Sequence, residues 1–210
     1  MTKTPRILIV GKMRAGKSTV ARHLVTDYGF QELAFGAELK RSADNLFKTT
    51  EVAEYKREPI RRGETGVPFI DADEILGYRK PRRLYQDFGQ LMRQLDPDIW
   101  IRHVAQTMDV VESFKSSKGV VISDGRQPNE IEWAKENGFT IIRVNADESD
   151  RLERIERAGD DFKTEDLRHE TELYVDDIQA DYDIWNGEGV SEDDLRRRVD
   201  EILAEIKASN

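Results

Sequence analysis

An α/β fold with a parallel sheet flanked by helices is predicted by three features of this sequence. Short apolar runs, RILIV at 6–10, VVI at 120–122 and TIIRVNA at 140–146, alternate with longer segments of helical period. Glycines stand where those helices should stop, at Gly29, Gly138 and Gly159. The first apolar run opens directly into GKMRAGKST, residues 11–19, a glycine-bracketed loop followed by a helical pattern. A chain of 210 residues suits one such domain carrying insertions and is short for two of equal size.

RILIV reads as a buried strand, and TVARHLVTDYG as a helix closed at Gly29. FQELAF, 30–35, is a short strand candidate, and GAELKRSADNLF, 36–47, has the helical spacing Leu39, Ala43, Leu46/Phe47. Residues 51–82 mix proline, glycine and charge without a sustained period, so they read as an insertion over the active face. PRRLYQDFGQLMRQL and PDIWIRHVAQTMDVVESF are helical segments split at Asp96-Pro97, since proline is tolerated in a first helical turn. A second buried strand then leads through the polar turn SDGRQP to a helix ending at Gly138, and TIIRVNA forms a third strand. SDRLERIERAGDD is a charged helix ending near Gly159, and YDIWN, 182–186, is a last short strand. SEDDLRRRVDEILAEIKASN is an amphipathic helix with Leu195, Val199, Ile202 and Ile206 on one side. Ligands of such a sheet sit beyond the carboxyl ends of its strands.

Composition narrows the function. The chain is 38% hydrophobic and 36% charged, the signs are evenly mixed, and the net charge is -9, which argues against a general nucleic-acid binder. The absence of cysteine rules out disulfides and thiolate metal sites and fits the cytoplasm. No apolar run approaches the ~18 residues of a membrane span, and the strand entered after only a few residues leads us to expect no signal peptide.

Within residues 11–19, Gly11 and Gly16 permit backbone conformations that turn N–H groups inward, and the following helix adds its positive end. Gly11, Arg14, Ala15, Gly16, Lys17, Ser18 and Thr19 are the candidate triphosphate contacts, with Lys17 reaching the terminal phosphates and Ser18 ligating Mg²⁺. The plain alternative is a strand-to-helix turn that binds nothing. In VVISDGRQPNE, 120–130, Asp124 could hold Mg²⁺ through its water shell and Arg126 could reach an acceptor phosphate; alternatively SDGRQP is a tight turn whose Asp and Gly serve geometry. Gln86, Gly89 and Arg93 share a helix face, offering an amide, a gap and a guanidinium to a base and a monophosphate; the alternative is a solvated face with Gly89 required for packing. Trp100 could stack on a base or belong to the core. Arg151, Arg154 and Arg157 form a stripe that is either directed at a triphosphate or simply solvated. His23, His103 and His169 offer no zinc spacing and read as structural or surface residues.

In order along the chain, GKMRAGKST, QDFGQLMRQLDPDIW, SDGRQPNEIEWAKENG, RLERIER, HETEL and YDIWN before a final helix resemble the deoxynucleoside monophosphate kinase family of bacteriophages and some bacteria. The first motif alone indicates a P-loop nucleotide binder. The resemblance runs over almost the whole chain and is weakest at 51–80. It implies a P-loop NTPase fold with a core of about 5–50, 118–147 and 181–208, a monophosphate-binding insertion within about 36–112, and a helical lid at about 148–175. It further implies ATP and Mg²⁺, small-molecule nucleotide partners, and catalytic roles for Lys17, Asp124, Arg126, Arg151 and Arg154, the last two as lid arginines. GAELK is also similar to the acceptor-binding stretch of adenylate kinases, which puts Lys40 where an arginine is usual and adds it to Gln86, Arg93, Trp100 and Arg126 as acceptor contacts. In SDGRQP the arginine directly follows the glycine, a departure from that family's turn that bears on the reach of Arg126. A same-fold kinase of another small phosphate such as phosphomevalonate, a P-loop ATPase acting on a partner protein, and a nucleotide sensor stand as rivals. A homodimer is left open, as is the base accepted.

Overall fold

The computed structural model describes residues 4–47, 81–114, 117–158 and 174–209. Its centre is a parallel sheet of β1 (Arg6–Val10), β2 (Gln31–Leu33), β3 (Val120–Ile122), β4 (Thr140–Asn145) and β5 (Tyr182–Trp185), in the order β2-β3-β1-β4-β5. β1 lies between β3 and β4 in parallel register, with Leu8 opposite both Ile122 and Ile141. Its residues Ile7 to Val10 are fully buried because helices cover the sheet, which is why it reads as an unbroken apolar run.

Period-2 alternation sorts the strand residues between faces. Ile7, Ile9, Val121, Ile142, Val144 and Ile184 pack into one cluster with α1 (Lys17–Tyr28) and the last helix, α7 (Glu192–Ser209). On α7, Leu195, Val199, Ile202 and Ile206 are all buried, as their spacing predicts. Helix α1 stops at Gly29, whose φ of 72° lets Phe30 N–H reach the Leu24 carbonyl at 3.1 Å. His23, only 8% exposed, bridges α1 to α7 between Asp27 (2.5 Å) and Asp200 (2.6 Å), so it is a structural residue. The Tyr28 hydroxyl donates to the same Asp200 carboxylate, a bond that pushes the phenol up to about 12. His103 is exposed, and His169 lies outside the described residues.

The remaining helices are α2 (Phe35–Phe47), α3 (Pro81–Leu95), α4 (Ile99–Ser113), α5 (Pro128–Glu136) and α6 (Glu148–Ala158), with a 3₁₀ turn at Tyr174–Asp177. α5 packs along β4 and starts at Pro128, where the buried Glu130 carboxylate accepts the N–H groups of Arg126 (2.9 Å) and Gln127 (3.0 Å). Among the described residues, no helix is long and apolar enough to cross a membrane.

The chain divides into two compact units, 1–35 with 101–210, and 36–100. The second contains most of α2 together with α3. There Leu39 and Ala43 are buried as expected, but Leu46 is 67% exposed, a correction to the predicted apolar face. Phe47 takes the packing role instead, meeting the Phe88 ring edge-on at 6.0 Å. The expectation of an insertion at 51–82 falls almost entirely outside the described residues, as does HETEL in the expected lid.

Arg143 on β4 joins the last strand to the turn before it. Its guanidinium forks onto Asp183 at 2.7 and 3.2 Å and donates to the carbonyls of Asp176 (3.1 Å) and Ile178 (3.0 Å). This pairing, reinforced by Asn145 and opposed by partial burial, holds the Asp183 carboxyl below its ordinary range. A depressed carboxyl contributes stability above its unfolded pKa and loses it as pH falls through the folded value. Asp183→Asn should therefore melt lower than the parent at pH 7, by no more than the ~1 kcal/mol of a half-exposed pair. In thermal melts from pH 7 to 3 the gap should narrow below about pH 4, near the ordinary aspartate pKa; a constant gap would detach it from the ion pair.

Candidate active site

Residues 11–16 leave β1 and cross the carboxyl end of β4. Gly11 has φ 150°, and a Cβ there would lie 2.5 Å from the Val144 carbonyl oxygen, so only glycine permits this approach. The loop then turns through Arg14 at φ 60° and Gly16 at φ 112° into α1. No side chain caps α1, and the Gly16 carbonyl accepts the N–H groups of Thr19 and Val20 at its start. The Lys17 ammonium lies within the loop on the carbonyls of Gly11 (2.6 Å) and Lys12 (2.8 Å). Ala15 is buried, Ser18 is exposed at the helix start, and Thr19 N–H bonds the Gly16 carbonyl at 3.0 Å. Inward amides, a helix N-terminus and an ammonium make a nest for a polyanion.

Helix α6 approaches the same loop. Arg151 is only 5% exposed, and its Nη1 donates to the Met13 carbonyl at a long 3.4 Å. Its Nε has no hydrogen-bond partner. Arg154 donates to the carbonyls of Arg14 (3.2 Å) and Asn186 (2.7 Å). Arg157 pairs instead with Glu153 at 2.5 Å in solvent. The arginine stripe is thus divided: two members face the loop and one is solvated.

At the end of β3, Asp124 Oδ1 accepts the Phe35 N–H at 2.9 Å and so anchors the start of α2. Arg126 is half-buried in the turn that Glu130 holds. Ser18 and Asp124 offer hard oxygen donors near the ends of adjacent elements, a donor chemistry that fits Mg²⁺. Among the described residues no group of three or more His, Asp or Glu side chains could hold a metal ion.

Within the second unit, Gly89 does not leave a gap: a Cβ there would lie 2.3 Å from Leu39 Cδ1, and Leu39 fills the space. Trp100 is likewise core, 2% exposed, with its ring 6.1 Å from Phe88 and its indole N–H on the Gly89 carbonyl at 3.4 Å. Both readings of these residues as parts of a base site are corrected, since packing claims the surfaces a base would need. Gln86 and Lys40 are exposed and Arg93 is half-buried.

No family model matches the sequence. An adenylate kinase of Clavibacter michiganensis subsp. michiganensis (strain NCPPB 382) is 25% identical over 210 residues, covering 97% of this chain and 92% of the relative. Among solved structures, a sugar kinase from Janibacter sp. HTCC2649 superposes with a TM-score of 0.55 at 15% identity, covering 98% of both chains. A dephospho-CoA kinase from Campylobacter jejuni gives a TM-score of 0.53 at 15% identity, again over 98% of each. The fold is that of the P-loop kinases.

In this P-loop the residue that sequence reasoning missed is Asn186. Its Nδ2 donates to the Ala15 carbonyl at 2.7 Å and lies 2.2 Å from where a Gly16 Cβ would stand. YDIWN was legible as a strand, but nothing in its period marks the last residue as a contact of a loop 171 positions away. For Gly11, replacement by alanine forces Cβ into the Val144 carbonyl. Gly11→Ala should destabilise the fold by ~1–3 kcal/mol, the range for a strained backbone position, and should lower ATP binding beyond what stability accounts for. Paired melting and calorimetry on the folded protein check this; intact ATP affinity would show that the loop tolerates displacement.

Proposed function

We propose that the chain is an ATP-dependent kinase of a small molecule, and that its acceptor is a deoxynucleoside monophosphate. The carrying observation is the loop 11–16, with its positive-φ glycines, the Lys17 ammonium inside it and an uncapped α1 behind it. The P-loop kinase fold and the adenylate kinase relative support phosphoryl transfer, and that relative, together with the family resemblance, supports a nucleotide acceptor.

On this reading ATP lays its phosphates along residues 11–19. Lys17 neutralises charge on the terminal phosphates, and the positive end of α1, which no side chain caps, faces their oxygens. Arg151, with a buried Nε to spare, and Arg154 add positive charge beside the triphosphate. Ser18, and Asp124 through water, would hold Mg²⁺, which would offset the charge of the phosphates. An acceptor phosphate oxygen attacks the γ-phosphorus in line as the bond to the β-phosphate oxygen of ADP breaks, so no protein nucleophile is required. Arg126, Lys40, Gln86 and Arg93 are assigned to the acceptor. Such chemistry suits a cytoplasmic enzyme, with small nucleotides and not nucleic acid as partners.

The deciding experiment is ADP release measured across the common ribo- and deoxyribonucleoside monophosphates and phosphomevalonate. At least one of dTMP, dGMP, dCMP or dAMP should accelerate ADP formation well above background hydrolysis and appear as the diphosphate. Turnover with phosphomevalonate alone would remove the nucleotide acceptor and keep the kinase; turnover with no small acceptor would favour a partner-driven ATPase.

Lys17→Ala should lower kcat at least a hundredfold, ~2.7 kcal/mol in barrier, while circular dichroism and melting stay near the parent. A loss under tenfold would take the catalytic site elsewhere. Arg93→Ala should raise the acceptor KM, or lower kcat, by the equivalent of ~1.5–3 kcal/mol for a charge-assisted phosphate contact, with the ATP KM little moved. Steady-state kinetics with each substrate varied in turn separates the two.

A further inference from the structure

Consecutive carbonyl groups of the loop are each held by a side chain from outside it. Arg151 donates to the oxygen of Met13 at 3.4 Å, Arg154 to that of Arg14 at 3.2 Å, and Asn186 to that of Ala15 at 2.7 Å. The described peptide bonds contain no cis form, so in each unit the N–H points opposite to its C=O. Fixing the oxygens of 13, 14 and 15 outward therefore turns the amides of Arg14, Ala15 and Gly16 the other way. The middle unit shows which way that is: Ala15 N–H reaches back across the loop to the Lys12 carbonyl at 3.2 Å, and that carbonyl also accepts the Lys17 ammonium at 2.8 Å. The Ala15 amide is thus on the side where the ammonium lies.

Asn186 is itself fixed at both ends. Its own N–H donates to the Asn145 carbonyl at 2.7 Å, which ties it to the end of β4, and its carbonyl accepts Arg154 Nη2 at 2.7 Å. The same Arg154 holds the oxygen of Arg14, a residue at φ 60° whose Cβ disfavours that conformation. At Arg14 the loop conformation is therefore held by its neighbours against the residue's own preference. We propose that Asn186 and Arg154 form a brace that presets the peptide orientations of residues 14–16, making them positioning residues for nucleotide phosphates which act through the loop backbone.

The inference rests on the reading of residues 11–19 as the triphosphate cradle, and the test separates the two. Calorimetry with Mg-ADP and with tripolyphosphate is run on the parent, on Asn186→Ala, on Asn186→Leu, which keeps volume without a donor, and on Arg154→Ala. Each variant that melts as a folded protein should bind both probes at least tenfold more weakly. In kinetics the ATP KM should rise more than the acceptor KM, a split that a general loss of stability would not produce. Should Asn186→Ala and Asn186→Leu fail to fold, Asn186→Gln, which keeps the amide but displaces its donor, gives the readout that Arg154→Ala cannot give alone, since Arg154 also adds charge beside the triphosphate. Affinities within threefold of the parent in every folded variant overturn the brace while leaving the cradle intact. A parent that binds neither probe overturns the cradle, and the brace with it.

Discussion

The contact on which the site depends is between backbones: the peptide at Gly11 lies against the carbonyl oxygen of Val144, at a distance that a single added methyl would close to 2.5 Å. Because β1 and β4 run parallel with Val10 opposite Arg143, their carboxyl ends reach the same level, and the chain leaving β1 must cross the end of its neighbour. A side chain on Gly11 would lift the loop away. Parallel pairing on the other side brings Asp124 to that same edge from β3, and the pairing of β5 with β4 brings Asn186. Strand register alone brings the segments of the candidate site to one edge of the sheet.

The electrostatic arrangement follows from the same crossing. A loop that turns amides to one side turns carbonyls to the other, and the outward carbonyls need partners. Arg151 and Arg154 supply them, with Asn186. Both sides of the loop then bear positive character, amides and Lys17 within, guanidinium groups outside, which suits a ligand carrying several negative charges. The surroundings are tied in turn. Lys12 pairs with Asp176 at 2.6 Å, and the carbonyl of Asp176 is held by Arg143, itself locked to Asp183. A loop of few residues is thus linked to β4, β5, α6 and the 3₁₀ turn through polar contacts.

Much of this was legible in the sequence, and the failures share a cause. Period and punctuation identify elements: the run Ile7–Val10, the stop at Gly29 and the α7 face all appear where spacing puts them. Spacing states which residues share a face but not what lies opposite. Gly89 looked like a gap and is filled by Leu39; Trp100 looked available and is walled in by Phe88; Leu46 fits the period and faces solvent. Arg151 and Arg157 sit on one periodic stripe, yet the first is buried at the loop and the second pairs with Glu153 in water. Asn186 depends on a contact between chain segments far apart in sequence, which no local pattern encodes.

The division into two units has a consequence for how such a chain acquires a substrate. In the unit carrying the sheet, the loop is held mainly through backbone groups: Gly11 against Val144, the carbonyls of 13 to 15, the uncapped start of α1. Backbone geometry survives wide changes in side chains, so a fold can retain this half at low identity, and a sugar kinase and a dephospho-CoA kinase both superpose on this chain at 15%. In the unit of 36–100 the candidate contacts are side chains alone, Lys40 and Gln86 exposed and Arg93 half-buried, on helices whose packing is already satisfied by Leu39, Gly89 and Trp100. Those surface positions can change without disturbing the core beneath them. On the proposed reading, acceptor choice would be carried by these side chains, where the fold constrains least, and fold likeness alone leaves it undetermined.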